Sequence, residues 1–195
     1  DYYATPWRGT WAGEAGGAVL GHAIHNHDLM THFLGPVSAL SATVATRVNA
    51  IETEDCAAIC FEMQGGALVT SSVTLGAASD TTRIRLCFEG FTAESGTEPY
   101  APARAGWQFT ARDPGAQSAI DDVLADVGPG RDGYAGFFEA VADALSGTPG
   151  QEVTLADGRR SIELVSAIYL AARTGARVAL PLGPDSPVYT GWLPQ

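Results

Sequence analysis

Hydrophobic and polar positions change their period along this chain, and each change marks an element. Between Gly16-Gly17 and Gly35-Pro36, the apolar residues Val19, Leu20, Ala23, Ile24, Met30, Phe33 and Leu34 share a broad arc of a wheel turning about 100° per residue, which predicts a helix. Gly35 can close its last turn and Pro36 cannot continue it. Beyond Pro36, short β-branched runs predict strands over 37–48, 55–63, 67–75 and 83–89. In the last of these, Ile84, Leu86 and Phe88 alternate with Arg83, Arg85 and Glu89, as in a half-exposed antiparallel strand. Gly65-Gly66 suits the positive φ angles of a tight hairpin. Prolines and small residues blur the pattern from Gly90 to Gly130, leaving one strand around 107–110. Helices follow at 134–145 and 158–174, the second with Asp157 as its N-cap and Gly175 at its end, and a strand at 177–180 precedes a proline-rich tail. The order predicts one α+β domain over residues 1–195, an open, predominantly antiparallel sheet covered by helices on one face.

Composition narrows the class. No apolar run approaches the ~20 residues needed to cross a bilayer, so no membrane partner is expected. A net charge of -11 is the wrong sign for phosphate backbones, so nucleic acid is not expected either. Cys56, Cys60 and Cys87 lie in strand-like runs without C-x-x-C spacing and read as buried free thiols of a cytoplasmic protein. The chain starts at Asp1 without an initiator methionine, so a fragment or processed product is expected.

The chemistry concentrates in the first helix. His22, His25, His27 and His32 are the chain's only histidines, and there is no lysine. Imidazole exchanges protons near neutral pH, so the cluster reads as a site. His25 and Asp28 are three residues apart and Asp28 and His32 four, which puts a carboxylate beside an imidazole on one polar face, with His22 at its margin. Either a proton-transferring pair or a solvated Asp28–His32 ion pair satisfies that spacing. His22, His25 and Asp28 match zinc-hydrolase spacing only loosely, and no metal is assigned. His27 points into the apolar arc and reads as a core histidine with a backbone partner. Trp7 and Arg8, just before the helix, have the composition of a ligand wall or of a buried N-terminal anchor. Packing is the expected role of the tail around Trp192. No G-x-G-x-x-G joins a strand to a helix.

Four segments in order resemble the C-terminal domain of the glucose-fructose oxidoreductase, inositol dehydrogenase and MocA family. They are Gly16-Gly17 leading to His25, Asp28 and Phe33-Leu34-Gly35; Glu54-Asp55 opening a strand; Asp157-Gly158-Arg159 before a helix with Ala167-Ile168-Tyr169; and Val178-Ala179-Leu180-Pro181. The resemblance implies the substrate-binding and oligomerisation domain of an NAD(P)-dependent oxidoreductase acting on a sugar, polyol or related hydroxy or keto compound. An N-terminal Rossmann domain, not contained in this chain, would bind NAD or NADP and carry the family's catalytic lysine, so this chain alone would be inactive and hold no cofactor. His25 and Asp28 align with the substrate-contacting histidine and acid; His22, Arg8 and Trp7 would be further substrate contacts. The implied partners are a small polyhydroxylated substrate and further copies of the chain, through the open sheet. Many family dehydrogenases place an acid four positions before this histidine; here it is Gly21. A non-catalytic ligand-sensing or scaffold domain of the same family is the alternative reading.

Overall fold

The computed structural model describes residues 2–100, 102, 106–128, 130–150 and 152–194. The chain forms two compact units, Asp1–Gly76 with Val153–Gln195, and Ala77–Glu152.

The first unit is built on a four-stranded sheet of β1 (Val37–Ala45), β2 (Cys56–Met63), β3 (Leu68–Thr74) and β7 (Val178–Ala179), in the order β3-β2-β1-β7, with every pairing antiparallel. Its two faces differ as the alternation requires. Ala57, Ile59, Phe61 and Met63 of β2 are buried, whereas Ala58 and Cys60 between them are exposed. The buried face lies under α2 (Ile24–Leu34) and α5 (Leu155–Thr174), whose Met30, Leu164, Val165 and Ile168 join Leu40, Ile59 and Phe61 in one core. Gly66, at φ 88°, turns β2 into β3 as the paired glycines predict.

The first helix differs from its prediction at its start. Residues Val19–Ala23 form a π-helical turn that runs into α2. Its entry is fixed by Glu54: Ala18 N–H donates to the Glu54 backbone carbonyl at 2.8 Å, and the side-chain carboxyl accepts from Gly17 N–H and Val19 N–H at 3.1 and 2.9 Å. Tyr169 of α5 donates its hydroxyl to the same carboxyl at 2.9 Å. Gly17 is required by this approach, since a Cβ there would lie 1.9 Å from the Glu54 carbonyl oxygen. Tyr169 is itself held between Trp11 and Trp192, with ring centroids 5.8 and 6.0 Å away, and Trp192 Nε1–H donates to Ala15 O, the packing role expected of the tail.

Asp55 does a similar task one residue on. Fully buried, its carboxylate accepts from the backbone N–H groups of Arg47, Val48 and Asn49 and so ties down the loop that follows β1. Burial alone would raise its pKa; the backbone donors of Asn49, Arg47 and Val48 outweigh it and hold the carboxyl well below the ordinary carboxylate range. Helix α5 starts at Leu155, and its N-cap is not Asp157. Thr154 is the N-cap, and Asp157 is the third helical residue of a capping box, its side chain accepting from Thr154 N–H.

The second unit carries β4 (Arg85–Cys87), β5 (Phe91–Glu94) and β6 (Gln108–Ala111) in a three-stranded antiparallel sheet, then α3 (Gln117–Asp126) and α4 (Gly133–Leu145). Strand β5 and helix α3 fall in the stretch where the sequence pattern was blurred. Gln117 joins the two elements: its side-chain oxygen accepts from Ala111 N–H and its amide donates to Phe109 O.

Candidate functional site

Two groups of predicted site residues arise from different local causes. The first is held by the chain before α2. Thr10 caps the short helix α1 (Trp11–Glu14) through Gly13 N–H, which directs Glu14 back toward Arg8; their ion pair is 3.6 Å long. The Arg8 guanidinium lies 3.8 Å over the Tyr2 ring and 4.6 Å from that of Trp7. Tyr2 also meets the His22 ring edge-on at 5.5 Å. The structure therefore links Trp7, Arg8 and His22 through Tyr2, a residue the sequence reading did not single out. Trp7 is half exposed rather than a buried anchor, whereas Trp11 packs against the core.

The second group is on α2. His25 and Asp28 both face solvent, one turn apart. Asp28 is not ion-paired to a histidine among the described residues; its carboxylate accepts from the Ser161 hydroxyl of α5 at 3.0 Å. The solvated Asp28–His32 pair is therefore not formed, and His32 instead contacts the Phe33 ring edge-on at 5.6 Å. Ser161 comes from the other end of the chain, and no spacing could have paired it with Asp28.

His27 is buried, as expected, but its partner is a side chain rather than the backbone. Nε2 lies 3.0 Å from the Ser71 hydroxyl of β3, the ring meets Phe61 edge-on at 5.2 Å, and Nδ1 is buried without a partner. Burial pushes its pKa down to about 4, so the ring is neutral at pH 7. The cysteine expectation is corrected too: Cys60 and Cys87 are exposed and Cys56 is half-buried, because β2 turns its even-numbered residues to the open face and β4 exposes both residues flanking Leu86.

No three His, Cys, Asp or Glu side chains converge as a metal site among the described residues. The helix start that follows Gly16-Gly17 does not suit a dinucleotide phosphate either. Its free N–H groups, at Gly17 and Val19, are already taken by Glu54. Among the described residues no helix is long and apolar enough to cross a membrane.

Fold and site together define an α+β domain of open antiparallel sheet, with a histidine-bearing helix laid on its covered face. Residues 1–94 match the family model described as GFO/IDH/MocA C-terminal domain, a span that contains Gly16-Gly17, His25, Asp28 and Glu54-Asp55. The family resemblance carried by those motifs therefore holds. Among solved structures, the WlbA dehydrogenase from Bordetella pertussis in complex with NADH and UDP-GlcNAcA is 27% identical with a TM-score of 0.71, covering 93% of this chain and 50% of that one. The WlbA protein from Chromobacterium violaceum, in complex with the same two ligands, is 30% identical with a TM-score of 0.73, covering 93% and 51%. An aldose-aldose oxidoreductase from Caulobacter crescentus complexed with glycerol shares the fold at 19% identity and a TM-score of 0.69, over 90% and 51%. The chain thus spans about half the length of these solved relatives. No curated protein matches it.

Proposed function

We propose that this chain is the substrate-binding and oligomerisation domain of an NAD(P)-dependent oxidoreductase that acts on a sugar, polyol or related hydroxy or keto compound. A Rossmann domain outside these 195 residues would hold the dinucleotide. The observation that carries this reading is the solvent-facing His25 on α2, with Asp28 fixed by Ser161 one turn away. The relatives solved with NADH and UDP-GlcNAcA support it. Bound nicotinamide would supply or accept the hydride. His25 would hydrogen-bond the substrate oxygen and take or return its proton, an assignment its accessible imidazole permits. Asp28, held by Ser161, would orient the substrate. His22 and the Trp7 face would line the approach. Arg8 would be a secondary substrate contact, because its guanidinium is already paired with Glu14 and stacked on two rings.

In the full-length protein, His25→Ala is expected to lower kcat by about 10²–10³-fold while leaving NAD(P)H binding intact. Unchanged turnover would remove His25 from the reaction. The ligand-sensing or scaffold reading rests on Gly21, which puts no side chain where a carboxylate would sit and has open space around it. It predicts no turnover at all, with ligand or partner binding indifferent to His25→Ala.

The open face of the sheet supports self-association. Ser41, Thr43, Ala58, Cys60, Thr70 and Ser72 lie on it, exposed and uncharged, an unusual surface for a protein of net charge -11. Its thiol Cys60 suits the reducing cytoplasm we assign to the protein. Thr43→Glu is expected to convert the oligomer to monomers in light scattering; a protein that is monomeric before the change rejects this interface.

A further inference from the structure

Helix α4 is built inside out. Its inner side carries small and charged residues: Gly136 and Ala140 are buried, and Arg131 folds beneath them to reach Asp143 at 2.6 Å and Glu139 at 3.8 Å. A Cβ at Gly136 would lie 2.7 Å from that of Arg131, so this side is closely packed. The opposite side has Tyr134, Phe137, Phe138, Val141 and Leu145 at spacings of three and four, one continuous apolar stripe. It stands in solvent, with Tyr134 83%, Phe138 64% and Leu145 86% exposed. An amphipathic helix normally buries such a stripe. With side chains of this size the stripe shows on the order of 500 Å² of apolar surface, a size at which an exposed patch on a monomer is often functional.

We infer that the α4 stripe is the docking surface for the nucleotide-binding half of the full-length protein, an inference that rests on the function proposed above. Two observations favour that occupant. Relatives solved with NADH cover 93% of this chain with only half of their own length, so an equal length of each lies outside the match. The stripe bears no charge, and the charges beside it, Glu139 and Asp143, are already held by Arg131, which suits a permanent contact better than a steered, transient one. A second copy has another surface available, the open sheet.

The test compares amide hydrogen exchange over residues 134–145 in the 195-residue chain, at several concentrations, with that in the full-length protein. Exchange is expected to be at least about tenfold slower in the full-length protein, and Tyr134→Lys, at a position exposed in this chain, should abolish that protection. Equal exchange in a full-length protein that binds NAD(P)H overturns the docking surface and leaves the proposed function standing. Protection that rises with concentration in the 195-residue chain assigns the stripe to a second copy and overturns it as well. A full-length protein that binds no NAD(P)H overturns the function and, with it, this inference.

Discussion

Glu54→Ala is expected to destabilise the first unit by about 4 kcal/mol, the largest loss from any single substitution considered. The carboxyl is buried and accepts from Gly17 N–H, Val19 N–H and the Tyr169 hydroxyl. Truncation leaves two backbone N–H groups and one phenol without acceptors, each worth about 1–3 kcal/mol when buried. The phenol has no easy alternative: burial, with Glu54 beside it, raises the Tyr169 pKa, so the hydroxyl stays protonated and must donate. Chemical denaturation would measure the loss. Tyr169→Phe removes one donor and should cost about 1–2 kcal/mol, and the double variant should cost less than the sum, because both changes break the same bond. Additive losses would show that Glu54 and Tyr169 act separately. The π-turn bearing His22 begins at Val19, so the Glu54 variant should also lose ordered structure there, visible in the His22 ring resonances.

This arrangement marks where the sequence stopped being legible. Helix α2 could be read because Gly35-Pro36 closes a clear 3.6-residue period. The π-turn before it could not, since Val19 and Ala23 satisfy an α-helical pattern equally well; only the bonds to Glu54, 35 residues on, distinguish the two. Both halves of the Glu54–Tyr169 bond stood in segments that carry the family resemblance, yet no local pattern says that a glutamate and a tyrosine 115 residues apart will meet. Other misses had usable signals. Thr154-Leu155-Ala156-Asp157 is a capping-box sequence, which places Asp157 three residues into the helix. Ile59-Cys60-Phe61 alternates, so Cys60 had to face away from the core that Ile59 and Phe61 enter. Helix α3 escaped notice for a different reason: its Val123 and Leu124 are exposed, so the chain has no buried face there to impose a pattern.

His27 should make the protein acid-sensitive in a window set by one ring. Burial lowers its folded pKa to about 4, while the unfolded chain takes up a proton near 6.5. Between these values the unfolded state binds a proton that the native state refuses, so stability falls as pH drops from about 6.5 toward 4 and flattens below. The full effect is about 3 kcal/mol. Stability measured by denaturant from pH 8 to pH 4 is therefore expected to decline in the wild type, and His27→Leu should remove that part of the slope. Asp55 acts in the same sense but lower on the pH axis: its depressed pKa contributes stability that is present above the ordinary carboxylate range and is lost as pH falls through and below that range. The two contributions therefore separate along the pH axis. Ser71→Ala gives the complementary control, because it removes the hydroxyl 3.0 Å from Nε2 and leaves the ring buried. It should lower stability by about 1 kcal/mol across the range and preserve the slope. A His27→Leu protein with an undiminished slope between pH 6.5 and 4 would assign the acid sensitivity to other groups and remove His27 from it.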